Sequence, residues 1–313
     1  MAYEIDFIGV GEKSKKDADA ICLRWLDSGG HYKIAVYDTG FQVHGEEMVK
    51  HLNKYYFDDP YNQKQRNEKI IDCVILSHSD QDHVSGTEEI FKNFRVKCLY
   101  MNRPWLYIDE LYSQIDDGRI TKESLQRRLK ENFNYIATIE SLAKSYNIPI
   151  TEVFAPALIE NKFMVLSPSR KFYLDLLVES NKTPLEESSD NIVKGKATVS
   201  SLLGKIYLKV KNLLESWFDE ELRENVSTSA ENETSVVLLG IDEKNFLLTG
   251  DSGVRGLRKA IDYANIEGFS LKNIIKFYQV PHHGGRHNVS PSILNDLIGS
   301  IVAENSCICH RQI

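Results

Sequence analysis

The chain has no apolar stretch approaching the roughly 20 residues that a membrane-spanning helix needs, so a membrane-embedded protein is not expected. It has no excess of positive charge. Its 38 Lys and Arg stand against 45 Asp and Glu, a formal net charge of −7. Nonspecific binders of long duplex DNA usually present a net basic surface, so the balance offers them no support. The N-terminus, Met1-Ala2-Tyr3-Glu4-Ile5-Asp6, lacks a basic stretch followed by an apolar one, and no secretory signal is expected. Cysteines are few, five in all, and odd in number. Cys22, Cys73 and Cys98 sit in apolar, strand-like runs and read as buried thiols. Cys307-Ile308-Cys309 is too closely spaced for a usual zinc knuckle. A reducing, cytoplasmic setting follows as the expectation. One further absence bears on chemistry: no His occurs between His83 and His282.

What remains is ordinary for a globular protein with a large core, 42% hydrophobic and 27% charged. Its 313 residues allow one large domain or two. The informative stretch is Leu76-Ser77-His78-Ser79-Asp80-Gln81-Asp82-His83-Val84-Ser85-Gly86. His78, Asp80, Asp82 and His83 fall at i, i+2, i+4 and i+5, directly after the apolar, β-favouring Ile70, Ile71, Val74, Ile75 and Leu76. A buried strand that ends in such a loop throws its side chains into one spot. Imidazole nitrogen suits borderline divalent cations and carboxylate oxygen suits hard ones. Three other apolar runs end the same way, at Asp38-Thr39-Gly40, at Thr249-Gly250-Asp251 and at Val280-Pro281-His282-His283-Gly284-Gly285. Strand ends in helix-covered sheets are where sites gather.

An isolated His or Asp at a strand end is usually a cap or a satisfied polar residue. His31, His44 and His51 have no partners in sequence and read as surface residues. His287 is close enough to His282 to be a candidate for the cleft. The basic clusters at Lys13–Lys16, Arg127–Lys130 and Lys205–Lys211 read as solvated faces.

Coarse patterning predicts strands over 3–10, 19–27, 32–38, 70–76, 96–101, 162–166, 235–241, 245–250 and 274–280, with Ile298–Ala303 also strand-like. Helices are expected over 44–55 and near 86–94. The segment from about 104 to 148 reads as helical, with Leu125, Leu129, Phe133, Ile136, Ile139, Leu142 and Ala143 at spacings of three and four. A second helical stripe is Ile206, Val210, Leu213, Leu214 and Trp217.

Taken in order, the four strand-end motifs resemble the metallo-β-lactamase superfamily, and most nearly the soluble hydrolase domain of ComEC-type competence proteins. That branch also carries Asp where most members have a second His, here Asp80. The resemblance covers roughly residues 3–100 and 230–300. It implies an α/β fold, a four-layer αββα sandwich. The chain would be one domain over 1–313, with helical insertions at about 104–148 and 181–230. Those insertions would form a lid or partner surface, or would simply pack on the outer flank.

The resemblance also implies a site. His78 and Asp80 would serve one cation; Asp82, His83 and one of His282 and His283 would serve another; Asp251 would bridge. His282 is favoured as the ligand from its place after the strand, leaving Asp82 and His283 as catalytic residues. Asp38 would support the site rather than ligate. One or two divalent cations are expected, Zn²⁺ or Mn²⁺, with Mg²⁺ a further candidate. The implied activity is hydrolysis by a metal-activated hydroxide, foremost on a phosphodiester, DNA or a nucleotide. Alternatives are hydrolysis of a lactone, thioester or amide, or a metal-binding sensor working with a protein partner through the insertions.

Two departures qualify the match. The superfamily usually supplies a further His between the 78–83 loop and Asp251, and this chain has none. Asn232 or Ser235 is a candidate substitute. Oxygen ligands in place of imidazole shift preference from zinc toward manganese or magnesium, and one tight and one loose cation are expected. The chain also ends soon after its last histidine pair, where the family usually continues, so a small last sheet or a shortened sequence is expected.

Overall fold

The computed structural model describes residues 3–8, 17–58, 68–114, 119–184, 222–242, 244–299 and 306–308. Lys13–Lys16, Lys205–Lys211, the stripe from Ile206 to Trp217, Cys309 and His310 lie outside them. So does most of the proposed insertion at 181–230.

Two mixed sheets of six strands face each other. The first runs Glu4–Phe7, Ala20–Leu26, Tyr32–Thr39, Cys73–Ile75, Leu99–Tyr100 and Ile150–Thr151 in spatial order. The second runs Ser306–Ile308, Ile275–Gln279, Asn245–Leu248, Val237–Gly240, Phe163–Ser167 and Ala157–Ile159. In the first, three neighbouring strands are joined antiparallel and the remainder parallel; in the second, four are joined antiparallel and the remainder parallel.

The two-residue period of a strand sorts side chains between layers. In Ala20–Leu26, Ile21, Leu23 and Trp25 enter the core between the sheets, with Phe163, Val165, Leu238, Phe246 and Leu248 opposite. Ala20 and Cys22 face the other way, into a core shared with the flanking helices. Tyr32–Thr39 repeats this, with Ala35 and Tyr37 inward and Ile34 and Val36 outward. Both faces are covered, which is why these strands read as unbroken apolar runs. The second sheet is backed by the helices Val254–Ile266 and Pro291–Ile298, through Leu257, Ala260, Ile261, Ile293 and Leu297. Helix, sheet, sheet, helix is the four-layer α/β order expected from the sequence.

Several elements differ from expectation. The run 70–76 is split into Ile70–Ile71, which pairs with Arg95–Val96 in a separate small sheet, and Cys73–Ile75; at the junction the buried Asp72 carboxylate accepts from the Ile34 amide and from the Lys33 and Lys97 ammonium groups. Ile298 ends a helix rather than starting a strand. Ser290 caps that helix by accepting from the Ile293 amide, and Pro291 sits at its first turn, where a missing N–H costs nothing. The segment after 104 is helical, chiefly Lys122–Asn132 and Asn134–Ser145. Its Leu125, Leu129, Ile136, Ile139 and Ala143 join the outer core of the first sheet, so these helices pack on the flank.

The loop bearing the metal-capable residues is held down by a close backbone crossing. A Cβ on Gly86 would lie 2.2 Å from the Thr39 carbonyl oxygen and 2.9 Å from the Gly45 backbone. Gly86→Ala should therefore destabilise the protein by roughly 1–3 kcal/mol, as overpacking does. Chemical denaturation checks this; unchanged stability would show that the crossing can relax at no cost.

Candidate metal centre

Each strand end contributes through a specific local device. Opposite Tyr32–Thr39, the pairing passes from Ala20↔Thr39 to Ile21↔Tyr37, so Asp38 is the extra residue of a bulge. Its φ of 56° is left-handed. Bulges re-aim a side chain, and here the turned carboxylate is fully buried. It accepts from the Ser77 amide at 2.7 Å, the Ser77 hydroxyl at 2.6 Å and His83 Nδ1 at 2.8 Å. Gly250, with φ 51°, makes the turn before Asp251, and its Cα side faces Ser77 so closely that a Cβ would lie 2.7 Å from Ser77 Cβ. The Asp251 amide donates to Ser235 Oγ, and its carbonyl accepts from Asn288 Nδ2. His282 and His283 both have φ of 52°, which turns the chain sharply after the strand Ile275–Gln279.

Hydrogen bonding then decides how the imidazoles point. The Ser77 hydroxyl proton is spent on Asp38, so Ser77 Oγ accepts from His78 Nδ1 at 3.0 Å. His83 donates through Nδ1 to Asp38. Asn288 uses its amide nitrogen on Asp251, so its oxygen accepts from His282 Nδ1 at 3.0 Å. His283 Nδ1 lies 3.4 Å from Asp19 Oδ1. In His78, His83 and His282 Nδ1 is hydrogen-bonded from outside, in His283 it faces Asp19, and each Nε2 turns toward Asp251 or Asp82, the arrangement by which outer partners orient metal-ligating histidines.

Around Asp251 the Nε2 atoms divide. His83 lies 3.1 Å from Oδ1, close but not aligned as a hydrogen bond. His78 and His282 lie 3.9 and 3.6 Å from Oδ2. His283 Nε2 is 3.5 Å from Asp82 Oδ2, and His78 Nε2 is 3.7 Å from Asp80 Oδ2. Asp82, His83, Asp251 and His283 bring ligand atoms within 4.8 Å of one another. His78, Asp80 and His282 are drawn up to the other side of Asp251 in a looser set.

The donor set fits a cation. His78 Nε2, His83 Nε2 and Asp251 Oδ1 are buried and have no hydrogen-bond partner, a costly state unless something positive completes it. Burial alone would lower the pKa of His83, yet Asp251 and Asp38 raise it well above the usual value. His283 is treated likewise by burial, then pushed up to about 10 by Asp19 and Asp82. Burial would raise Asp251, Asp82 and Asp80, but the neighbouring imidazoles, with Lys182 at Asp80, hold all three below the normal carboxylate range. The pocket thus demands positive charge among its carboxylates.

All six metal-capable residues read from the sequence meet here, and Asp38 supports His83 as expected. The looser candidates are engaged elsewhere or lie apart from the cluster. The Asn232 amide is taken by Thr228 and Ser229, and Ser235 accepts from the Asp251 backbone. His287 is exposed. His31 is exposed as expected, but His44 is buried, with Nδ1 accepting from the Phe41 amide, and His51 is half-buried against Asp6. Their surface assignment fails because tertiary partners far apart in sequence supply the missing contacts. Three residues had no sequence signal at all: Asp19, Asn288 and Lys182, whose Nζ lies 2.8 Å from Asp80 Oδ1.

Comparison with known proteins agrees in part of the chain. Residues 30–130 match the family model described as Metallo-beta-lactamase superfamily. Among solved structures the chain is similar to a crystal structure of the metallo-β-lactamase SMB-1 bound to 2-mercaptoethanesulfonate. Identity is 7%, over 90% of this chain and 76% of that one, with a TM-score of 0.35. At that score no residue role is carried across. No curated protein matches. Among the described residues no helix is long and apolar enough to cross a membrane.

Asp38→Ala should weaken divalent-cation binding by about 10–100-fold, the usual consequence of removing an orienting partner. Calorimetric titration of metal-stripped protein measures it. Affinity equal to wild type would mean that His83 needs no such support.

Proposed function

We propose that this chain, which carries a metallo-β-lactamase superfamily domain and a candidate metal centre, is a phosphodiesterase acting on nucleotides or on DNA. The observation that carries the reading is the division around Asp251. One oxygen faces His83 and the other faces His78 and His282, so positive charge can gather on both sides of one carboxylate. Displacement at an anionic phosphodiester wants charge offset at both the attacking and the leaving oxygen. Likeness to the ComEC-type branch belongs to the same reading, and rests on Asp80 and the His282-His283-Gly284 run.

Asp82, His83, Asp251 and His283 would hold the tighter cation, and His78 with Asp80 would face positive charge on the other side of Asp251. Zn²⁺ and Mn²⁺ are the candidates, with Mg²⁺ third. When bound, a divalent cation supplies a Lewis acid and a water of lowered pKa. The convergence of His283 with the tight group favours it as ligand. His282 is then the imidazole left to act: its side chain is 42% exposed, Nδ1 is held by Asn288, and Nε2 faces the open side of Asp251. It is placed to pass a proton to a leaving oxygen. This exchanges the roles that order along the chain had given the pair.

A second reading, hydrolysis of a lactone, thioester or amide, draws on a small cavity beside His78 of about 20 Å³, whose lining mixes apolar Met101, Ile136 and Leu177 with polar Asn102, Glu231 and Thr234. The whole chain is taken as one domain. A cytoplasmic setting is in keeping with the free thiols of Cys22, Cys73 and Cys98.

The test is hydrolysis of bis-p-nitrophenyl phosphate and of labelled single-stranded DNA. Metal-stripped protein receives Mn²⁺, Zn²⁺ or Mg²⁺, beside an Asp82→Ala/His83→Ala control. Cation-dependent cleavage that the control lacks is expected. Inertness toward both, with turnover of a p-nitrophenyl carboxylic ester, would transfer the assignment to the second reading.

A further inference from the structure

On the looser side of Asp251, His78, Asp80 and His282 do not draw together as the tight group does, and Lys182 stands beside Asp80. We propose that Lys182 substitutes for the second cation, so that the working centre is one divalent metal plus one lysine ammonium. This deepens the phosphodiesterase reading and rests on it for its catalytic meaning.

Three observations converge. Among the described residues, only one group of four donors draws together around Asp251, and it is the Asp82, His83, Asp251 and His283 group. Asp80, the carboxylate on the other side, already has a full positive charge at 2.8 Å on Oδ1, while its Oδ2 faces His78 Nε2 at 3.7 Å. Lys182 itself is built in rather than loosely draped. Its amide donates to Ser180 Oγ at 3.0 Å, and its carbonyl accepts from Asn132 Nδ2 at 2.7 Å. The Ser180 hydroxyl in turn donates to Glu231 Oε1. The ammonium lies 5.5 Å from the centroid of the Phe133 ring. Backbone anchors on a helix of the flank and a cation–π contact together present Nζ at the site.

The physical consequence is competition. A divalent cation entering between His78, Asp80 and Asp251 would meet the ammonium that Asp80 already holds; like charges that close oppose each other, and because Lys182 and Asp80 are 36% and 32% exposed the opposition is partly screened. Lys182 neutralises Asp80 in the free protein, and its three N–H donors can take a phosphate oxygen when substrate arrives. An ammonium has no water to activate, so the nucleophile belongs to the tight side and the lysine to the charge of the substrate.

Metal counting tests this without any substrate. Wild type, Lys182→Met and Lys182→Arg are titrated with Mn²⁺ by calorimetry, and bound metal is counted by elemental analysis after gel filtration. Electron paramagnetic resonance then reports whether the bound ions are coupled. Wild type and Lys182→Arg should retain one equivalent. Lys182→Met should bind a second equivalent at least about tenfold more tightly than wild type does, with the spectrum of a coupled pair. Thermal melting shows that each variant is folded, and Lys182→Gln serves if the Met variant is not. Two equivalents retained by wild type, or no second equivalent gained by Lys182→Met, would overturn the proposal. Because the count needs no turnover, inactivity toward phosphodiesters would defeat the functional reading and leave this one standing.

Discussion

Everything at the centre depends on one buried carboxylate. Asp38 has no access to solvent, and its burial is made tolerable by three hydrogen bonds, from the Ser77 amide and hydroxyl and from His83. Those bonds join the end of Tyr32–Thr39 to the start and finish of the 77–83 loop. Burial still pushes the Asp38 pKa up, with His83 and Ser77 opposing. A bulge turns the residue to face the loop, and a left-handed φ holds it there. Once Ser77 is so occupied, the tautomer of His78 follows, and once His83 donates to Asp38, its Nε2 has only the centre to face.

Charge then organises what geometry has assembled. Asp80, Asp82 and Asp251 share a small volume with four imidazoles and Lys182. Carboxylates at such spacing repel unless cations lie among them. The protein supplies some of that charge itself, through raised imidazole pKa values on one side and a lysine on the other. A bound divalent ion would take over the role on the first side. The two sides of Asp251 are thus unequal, which the missing histidine between His83 and His282 foreshadows.

The strands that carry the site were legible because each is an unbroken apolar run ending in Asp or His, and two-sided burial is what such a run means. The cluster from His78 to His83 was legible because its spacing leaves few other uses. The split at Asp72 and the helix ending at Ile298 were not: the first falls at a buried carboxylate paired with Lys33 and Lys97, the second is a Ser-Pro helix start that an apolar, β-branched stretch conceals. The partners that set ring orientation were invisible for a different reason. Asp19 reaches His283 from the far end of the chain, and Lys182 reaches Asp80 across about a third of its length. Neither sits in a pattern; each is meaningful only once the sheets have folded. Which of His282 and His283 ligates was likewise undecidable from order, because two consecutive left-handed residues control where the rings go.

The most direct measurement is a crystal structure of the protein soaked with Mn²⁺ or Zn²⁺, with anomalous scattering collected to place the metal. The account predicts a strong peak bound by Asp82, His83, Asp251 and His283, with His83 Nδ1 still on Asp38 and Lys182 still on Asp80. A peak elsewhere, or two equal peaks with Lys182 displaced from Asp80, would contradict it.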